Sequence, residues 1–573
     1  MMKQIKLFAV LLMATFSFTL QAETEMSVEG LDGDLEENVE AYLSAIPEDE
    51  YSVSLRFQSR VETSIKEALK ALGFYDPVIT FNVSGEQGSR LLVVNVIPGE
   101  PVSIYDSDII IDGEAKFDPE FIAAVANSGL NLGAVLNHGN YDALKTRLRN
   151  LALRKGYFDG DFSVTRLEVS PERKQAFVHL HYDSGDRYFF GKTFIDGSQI
   201  EDYRVQSIIP YQSGDPYLAS KVGEFNQSLS NTEWFSSVLV EPDINNVSQS
   251  GELPMQVHLS PQTKNLLETG IGYSTDVGIR GKINWKKPWL NSYGHSLKTS
   301  LSISNPEQTV TAAYKIPLEN VLRDYYIVQY GMKNIDDRDT DSLESNLAFE
   351  RHWVLDSGWH RTLFTRLLYE EFTQGKQDGS SWLVLPGITL SKTRSRGGMM
   401  PMWGDRKSIT FEGTDPALSS DARLVRVQAH TTWIRSLGQN HRGLFGADVG
   451  AIYTDEFDSL PPSIRFFAGG DNSLRGYGYE EISPKDSDGF LTGGQYMATS
   501  SLEYQYRVVG NWWLATFVDY GDAWASVPQW KTGVGAGIRW GSPVGPVSLD
   551  FAWGLEQPQG EEFHIHFSLG PEI

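Results

Sequence analysis

One arginine set among four glycines is the segment of this 573-residue chain best equipped for chemistry. It runs Phe467-Ala468-Gly469-Gly470-Asp471-Asn472-Ser473-Leu474-Arg475-Gly476-Tyr477-Gly478-Tyr479. Glycine opens positive φ and close approach to a wall. The planar fork of Arg475 can hold a carboxylate through two bonds. If the segment folds back into a lumen, Glu503, Asp519 and Asp550 are its candidate partners, each on the polar side of an alternating stretch. An exposed loop carrying an ordinary arginine is the alternative reading.

Covalent chemistry finds little support. The chain has no cysteine, which excludes disulfides and thiol catalysis. Serine-nucleophile, zinc-protease and phosphate-cradling motifs are missing; Gly294-His295-Ser296-Leu297-Lys298 departs from the first at its last position. His179 with His181, and His564 with His566, each share a strand face. Two histidines without a nearby Cys, Asp or Glu read as polar-face residues rather than metal ligands. The chain is therefore expected to be no enzyme, with no cofactor and no metal. Its net charge of -25 opposes general nucleic-acid binding.

The first residues fit an export signal. Met-Met-Lys-Gln-Ile-Lys leads into the apolar run Leu7–Leu20, with cleavage expected after Ala22. That run falls short of the roughly 20 residues a membrane-spanning helix needs. Mean hydropathy is -0.30, against a helical membrane protein and compatible with a barrel, where alternation halves the apolar content of each strand.

Three imperfect repeats occupy residues 23–263. Their landmarks are Gly73-Phe74-Tyr75, Gly156-Tyr157-Phe158 and Trp234-Phe235, with corresponding positions spaced 83 and 77 residues apart. A helix with one apolar stripe precedes each: Phe57, Val61, Ile65, Leu69 and Leu72 in the first, Tyr141, Leu144, Leu148 and Leu151 in the second, Leu218, Val222, Phe225 and Leu229 in the third. Gly73 and Gly156 are expected as left-handed helix ends. Glu233 stands at that place in the third repeat, so its helix is expected to end by another route. Strand pairs follow at Val78–Val83 with Leu91–Val96, Phe162–Leu167 with Ala176–Tyr182, and Val238–Ile244 with Met255–Leu259. The unit is strand, helix, helix, strand, strand, and its open sheet edge is either a peptide-binding edge or part of a spacer. Domains are placed at 23–99, 100–185 and 186–263.

After Thr263 the helical period gives way to alternating strands. Leu502, Tyr504 and Tyr506 alternate with Ser501, Glu503 and Gln505; Val534, Ala536, Ile538 and Trp540 with Gly533, Gly535, Gly537 and Arg539; Leu549, Phe551 and Trp553 with Ser548, Asp550 and Ala552. Phe563, Ile565, Phe567 and Leu569 alternate with His564, His566 and Ser568. Facing lipid, the aliphatic and aromatic set must point outward. Residues 264–573 are 310 positions, enough for about 16 strands at roughly 19 residues per strand and connection. Trp285, Trp289, Trp353, Trp359, Trp512 and Trp513 are expected in interfacial girdles. The fold class is three α+β domains followed by a 16-stranded antiparallel transmembrane barrel; a soluble sandwich or propeller is the alternative.

The repeat landmarks, Ser473-Leu474-Arg475-Gly476-Tyr477, Phe517-Val518-Asp519-Tyr520-Gly521, and Gly541-Ser542-Pro543-Val544-Gly545-Pro546 before Leu549-Asp550-Phe551-Ala552 carry a resemblance. The chain resembles the bacterial outer-membrane insertases and transporters with periplasmic POTRA repeats and a 16-stranded barrel, over essentially its whole mature length. The three-repeat count points within them to the translocation and assembly module branch. This resemblance implies an outer-membrane location with the repeats in the periplasm. It implies a latch in which Arg475, with Gly476, Tyr477 and Leu474 seating the loop, pairs with Asp519 and, in support, Glu503. It also implies a weak lateral seam between a first strand near Glu268–Thr275, holding Gly270, Gly272 and Tyr273, and a last strand bearing Phe563, Ile565, Phe567 and Leu569. Implied partners are unfolded outer-membrane or autotransporter β-strands, the lipid bilayer and a TamB-like inner-membrane-anchored periplasmic protein. Implied work is insertion and assembly of β-barrel or autotransporter proteins, with phospholipid transport. A two-partner secretion transporter and a passive pore or adhesin are the alternatives.

Overall fold

A computed structural model describes residues 23–85, 89–398, 400–542 and 545–569. The expected signal segment lies outside them, as do Pro543 and Val544 of the C-terminal motif.

Three small α+β units come first. The first has β1 (Glu23–Glu29), α1 (Gly33–Leu43), α2 (Leu55–Ala71), β2 (Val78–Ser84) and β3 (Ser89–Ile97), with sheet order β1-β3-β2. In the second, β4 (Ser103–Asp112), α3 (Pro119–Ala126), α4 (His138–Lys155), β5 (Asp161–Ser170) and β6 (Gln175–Asp183) give the order β4-β6-β5. The third follows suit with β7 (Phe189–Asp196), α5 (Asp202–Gln206), α6 (Ala219–Asn231), β8 (Phe235–Pro242), β9 (Glu252–Pro261) and the order β7-β9-β8. In each the last strand is central, and β6 alternates half-buried and fully buried residues because helices cover one face. The helix stripes supply those covers: Val61, Ile65 and Leu69 are fully buried on α2, and Leu148 on α4.

The helix ends repay comparison. Gly73 and Gly156 take φ of 91° and 83°, as their position in the repeat predicts. Glu233 takes φ of 60°, so the third helix ends through the same left-handed turn and not by another route. A carbon-bearing side chain accepts that strain here. The third repeat also departs in its strand: β8 begins at the aromatic landmark, three residues before the expected Val238, and ends before Ile244.

Sixteen antiparallel strands follow as one sheet in sequence order, from β10 (Leu266–Ser274) to β25 (Phe563–Leu569). The apolar side of the alternation faces out: Leu502 and Leu514 are more than half exposed, while Glu503, Gln505 and Asp519 are buried inward. Trp512 shares the outward face, but Trp513 is buried inward beside Arg442 and leaves the expected girdle. Adjacent residues of a strand cannot share a face. No described helix is long and apolar enough to cross a membrane.

Candidate functional site

The segment between β20 (His441–Tyr453) and β21 (Tyr496–Val509) packs inside the barrel. Leu460, Ile464, Phe466, Ala468, Leu474 and Tyr477 are buried in one cluster with wall residues such as Leu368, Leu383 and Leu385. Apolar anchors therefore hold the loop before any charge is considered.

Arg475 sits at the loop's tip against β21, β22 (Trp512–Trp524), β23 (Lys531–Ser542) and β24 (Gly545–Gly554). Its Nε and Nη2 donate to Oδ2 and Oδ1 of Asp519 at 2.7 and 2.8 Å, a two-bond fork, and its backbone N–H adds a third bond at 3.0 Å. Nη1 donates to Glu503 Oε2 at 2.6 Å and to Asp550 Oδ2 at 3.3 Å, and Nη2 to Ser501 Oγ at 3.1 Å. The guanidinium carbon lies 3.4 Å from the centroid of the Phe517 ring, a cation–π contact. The arginine side chain is 8% exposed and that of Asp519 1%, so little water competes for these bonds.

Sequence reasoning passed over the second cation. Arg539 on β23 donates Nε and Nη2 to Glu503 and Nη1 and Nη2 to Asp550, at 2.6–3.0 Å. Two arginines thus serve three buried carboxylates, and Glu503 and Asp550 bridge them. The available signal was its place on the inward face, in line with Gly533, Gly535 and Gly537. Those glycines leave the wall bare where the loop approaches. A Cβ on Gly476, whose φ is 91°, would lie 2.6 Å from the Gly554 nitrogen.

Tyr477 anchors the next turn. Its hydroxyl donates to Glu556 Oε2 at 2.7 Å, and Thr532 N donates to the same oxygen at 2.6 Å. Burial opposes the charge of Glu556, yet these hydrogen bonds hold its carboxyl below the usual range.

The sheet's two ends do not form a ladder. Among the described residues β10 pairs with β11 (Gly278–Lys287), β25 pairs with β24, and no register joins β10 to β25. Thr275, just past β10, makes the join: its N–H donates to the Phe567 carbonyl at 3.3 Å, and its Oγ1 accepts from Phe567 N at 3.1 Å. Tyr273 and Phe567 add a ring contact at 5.9 Å. Described β25 ends at Leu569, two residues past Phe567, so among the described residues Gly270, Ile271 and Gly272 have no β25 partner, and Phe563 and Ile565 are outward and exposed.

A polar clasp ties this join to the loop. His566 Nδ1 is 2.7 Å from Asp471 Oδ1, and His566 Nε2 accepts from Gly476 N at 3.0 Å. Because Gly476 N can only donate, Nε2 carries no proton and Nδ1–H donates to Asp471. Asp471 Oδ1 also accepts from Thr275 Oγ1 at 3.0 Å, and Asp471 N donates to Asp276 Oδ2 at 2.9 Å. Burial, then the neighbouring Asp471 charge, push the Asp276 carboxyl up to about 6. His566 therefore does have acids beside it, which its sequence neighbourhood hides, but both ring nitrogens are occupied by the clasp. In the second N-terminal unit, His181 similarly meets Asp108 at 2.7 Å.

The repeat landmarks have structural roles. Tyr157 packs edge-on to Phe121 in the second core, and Phe158 packs against Tyr188 and Tyr217. Phe74 borders the first core, and the Tyr75 hydroxyl meets His138 Nε2 at 2.6 Å. Trp234 Nε1 donates to the Gly294 carbonyl at 3.1 Å in the turn before β12 (Ser296–Ile303), with Phe235 beside it.

Comparison with known proteins decides the family. Residues 264–573, more than half of the chain, match the Omp85 superfamily domain. The chain belongs to the Omp85 superfamily. Two further models match this Omp85 protein: "POTRA domain TamA domain 1" at residues 25–98, and a POTRA model described as a surface antigen variable number repeat at 104–185. It is similar to outer membrane protein assembly factor BamA of Nitratidesulfovibrio vulgaris, with 24% identity over 436 residues, 71% of this chain and 54% of the relative. BamA of Neisseria meningitidis serogroup B is 19% identical over 517 residues, 75% of this chain and 62% of the relative. The chain spans about half the length of the curated relatives it matches. Among solved structures, BamA from Haemophilus ducreyi lacking POTRA domains 1–3 shares the fold, with TM-score 0.67, 16% identity and coverage of 82% of this chain and 99% of that one. This Omp85 protein is an outer-membrane β-barrel with periplasmic N-terminal domains.

Proposed function

We propose that this protein assembles β-barrel or autotransporter proteins into the outer membrane by offering the open edges of β10 and β25 to incoming strands. The observation that carries this reading is the join at Thr275–Phe567, two hydrogen bonds where neighbouring strand pairs carry full ladders. Unpaired backbone groups are costly in hydrocarbon, several kcal/mol each, so an incoming strand that pairs with either edge lowers the free energy without ATP or a covalent step. The loop latch, on this reading, keeps β21–β24 rigid while the seam moves. The assembly-factor names of its relatives support the same reading.

We place the protein in the TamA branch, as the outer-membrane subunit of a translocation and assembly module. The family-model match of residues 25–98 supports that branch. A TamB-like periplasmic partner, unfolded β-strand substrates and a role in phospholipid transport belong to the proposal. The three N-terminal sheets, whose outer strands β1, β2, β5 and β8 each pair on one side only within their sheets, are its proposed docking elements.

Locking the seam tests the proposal. The chain has no cysteine, so Thr275→Cys with Phe567→Cys gives one crosslink across the join. The oxidised barrel should stay folded, by heat-modifiable migration, and lose substrate assembly, with recovery on reduction. Full assembly by a demonstrably crosslinked barrel would point to passage through the lumen or to a passive pore.

A further inference from the structure

The outward face carries a positive patch that neither the latch nor the seam uses. It lies on β17 (Gln377–Arg396), β18 (Trp403–Thr414) and β19 (Leu424–Leu437), at the ends joined by short turns. Strands alternate direction from β10, which follows the periplasmic N-terminal domains in sequence, so these ends lie on the periplasmic side. The register places Leu390 opposite Ile409, then Lys392 opposite Lys407, Arg394 opposite Asp405 and Arg396 opposite Trp403. Trp433 pairs with Asp405 on the other side. All share the parity of the exposed Phe411 and Trp382, so the cations begin where the apolar band ends.

Charge there is not balanced. Asp405, fully buried beneath the others, takes Arg394 at 2.7 Å, and Lys407 and Arg435 at 3.6 Å. Among the described residues no carboxylate is in ion-pair range of Lys392 or Arg396. Lys392 Nζ instead donates to the Ser357 carbonyl at 2.5 Å, and nearby Asp356 is engaged with Arg323. Five cations surround one carboxylate in a chain of net charge -25. Lys392 and Lys407 stand directly opposite each other, a like-charge pair that destabilises a sheet. The two indoles hold the cations in place. Arg394, Arg396 and Arg435 lie 4.8–5.3 Å from the Trp403 ring, and Lys407 and Arg435 4.3 and 4.9 Å from Trp433.

We infer that this patch binds the headgroup of an anionic glycerophospholipid in the periplasmic leaflet, its phosphate between Lys392, Lys407 and Arg396 and its acyl chains along Leu390, Ile409 and Phe411. An anion between the lysines relieves their repulsion, and the apolar band directly above fits a lipid rather than a free ion. Trp at the headgroup level and basic side chains reaching to the interface are the physics of this zone. The inference needs the barrel in a membrane but does not rest on the assembly reading.

The test uses the full chain in mixed micelles holding equal dioleoyl phosphatidylglycerol and dioleoyl phosphatidylcholine, with retained lipid counted by native mass spectrometry. The wild type should retain phosphatidylglycerol preferentially. Each interfacial cation contributes about fivefold to affinity, so K392Q/R396Q/K407Q should lower the preference by on the order of tenfold or more. K392R/K407R, which keeps the charge, should preserve it, and heat-modifiable migration checks that all three barrels are folded. Equal retention of both lipids by the wild type, or an undiminished preference in the folded glutamine variant, overturns the inference. Displacement of the lipid by inorganic phosphate overturns it too, in favour of a free-anion site.

Discussion

The carbonyl oxygen of Arg475 occupies the space in which a side chain at Gly533 would begin: a Cβ there would lie 1.9 Å from it. The loop and the wall of β23 are thus fitted backbone to backbone, and the ion pairs close around that fit. Gly533→Ala should push the loop tip off the wall and stretch the Arg475–Asp519 fork while β22–β24 stay paired. Limited proteolysis within 467–479 reads the first effect, and heat-modifiable migration the second. A loop as protected as in the wild type would contradict the fit.

Removing one partner from the latch strands the others. Breaking a buried pair typically costs about 3–5 kcal/mol, and little water reaches this one. Because Arg539 still holds Glu503 and Asp550, Arg475→Ala should leave the barrel assembled, loosen the loop and impair assembly activity. Arg539→Ala should also lower barrel stability, since it leaves Glu503 and Asp550 to Arg475 alone, which reaches Asp550 only at 3.3 Å. A double-mutant cycle of Arg475→Ala with Asp519→Ala should be strongly non-additive, read by thermal melting. Independent, additive losses would reject direct coupling.

The clasp at the seam should respond to pH. The folded-state Asp276 carboxyl is raised from 3.8 to about 6. Between these values the folded state holds a proton that the unfolded state has released, so this group's stabilisation is fully present below pH 3.8 and falls as pH rises to about 6. Asp276→Asn should remove that part of the pH dependence from the melting curve and raise stability at pH 7 relative to the wild type. An unchanged pH profile in Asp276→Asn would count against the clasp.

What the sequence made legible follows from periodicity. Period-two alternation placed Glu503, Asp519, Asp550 and Arg539 on one inward face, and helical stripes located the buried faces of α2, α4 and α6. Bonds between those faces depend on register and loop path, which local pattern does not carry. The clasp shows this most clearly: His566 and Asp471 are 95 residues apart and Asp276 and Asp471 are 195 apart. Trp513 was misplaced because two adjacent tryptophans read alike by type, although only one can face lipid. Glu233 was misread because glycine is the usual left-handed residue but not the sole one.

Strand capture at the seam is the most direct test of the central claim. Cysteines placed singly at Gly270, Ile271, Gly272 and Tyr273 would be crosslinked, during assembly, to cysteines placed along the terminal strand of a substrate barrel. Templating at the β10 edge predicts capture in one register, with crosslinks alternating along the strand and shifting by one residue when both positions shift. Capture from interior positions such as Ser501 instead, with none at β10, would contradict lateral strand pairing.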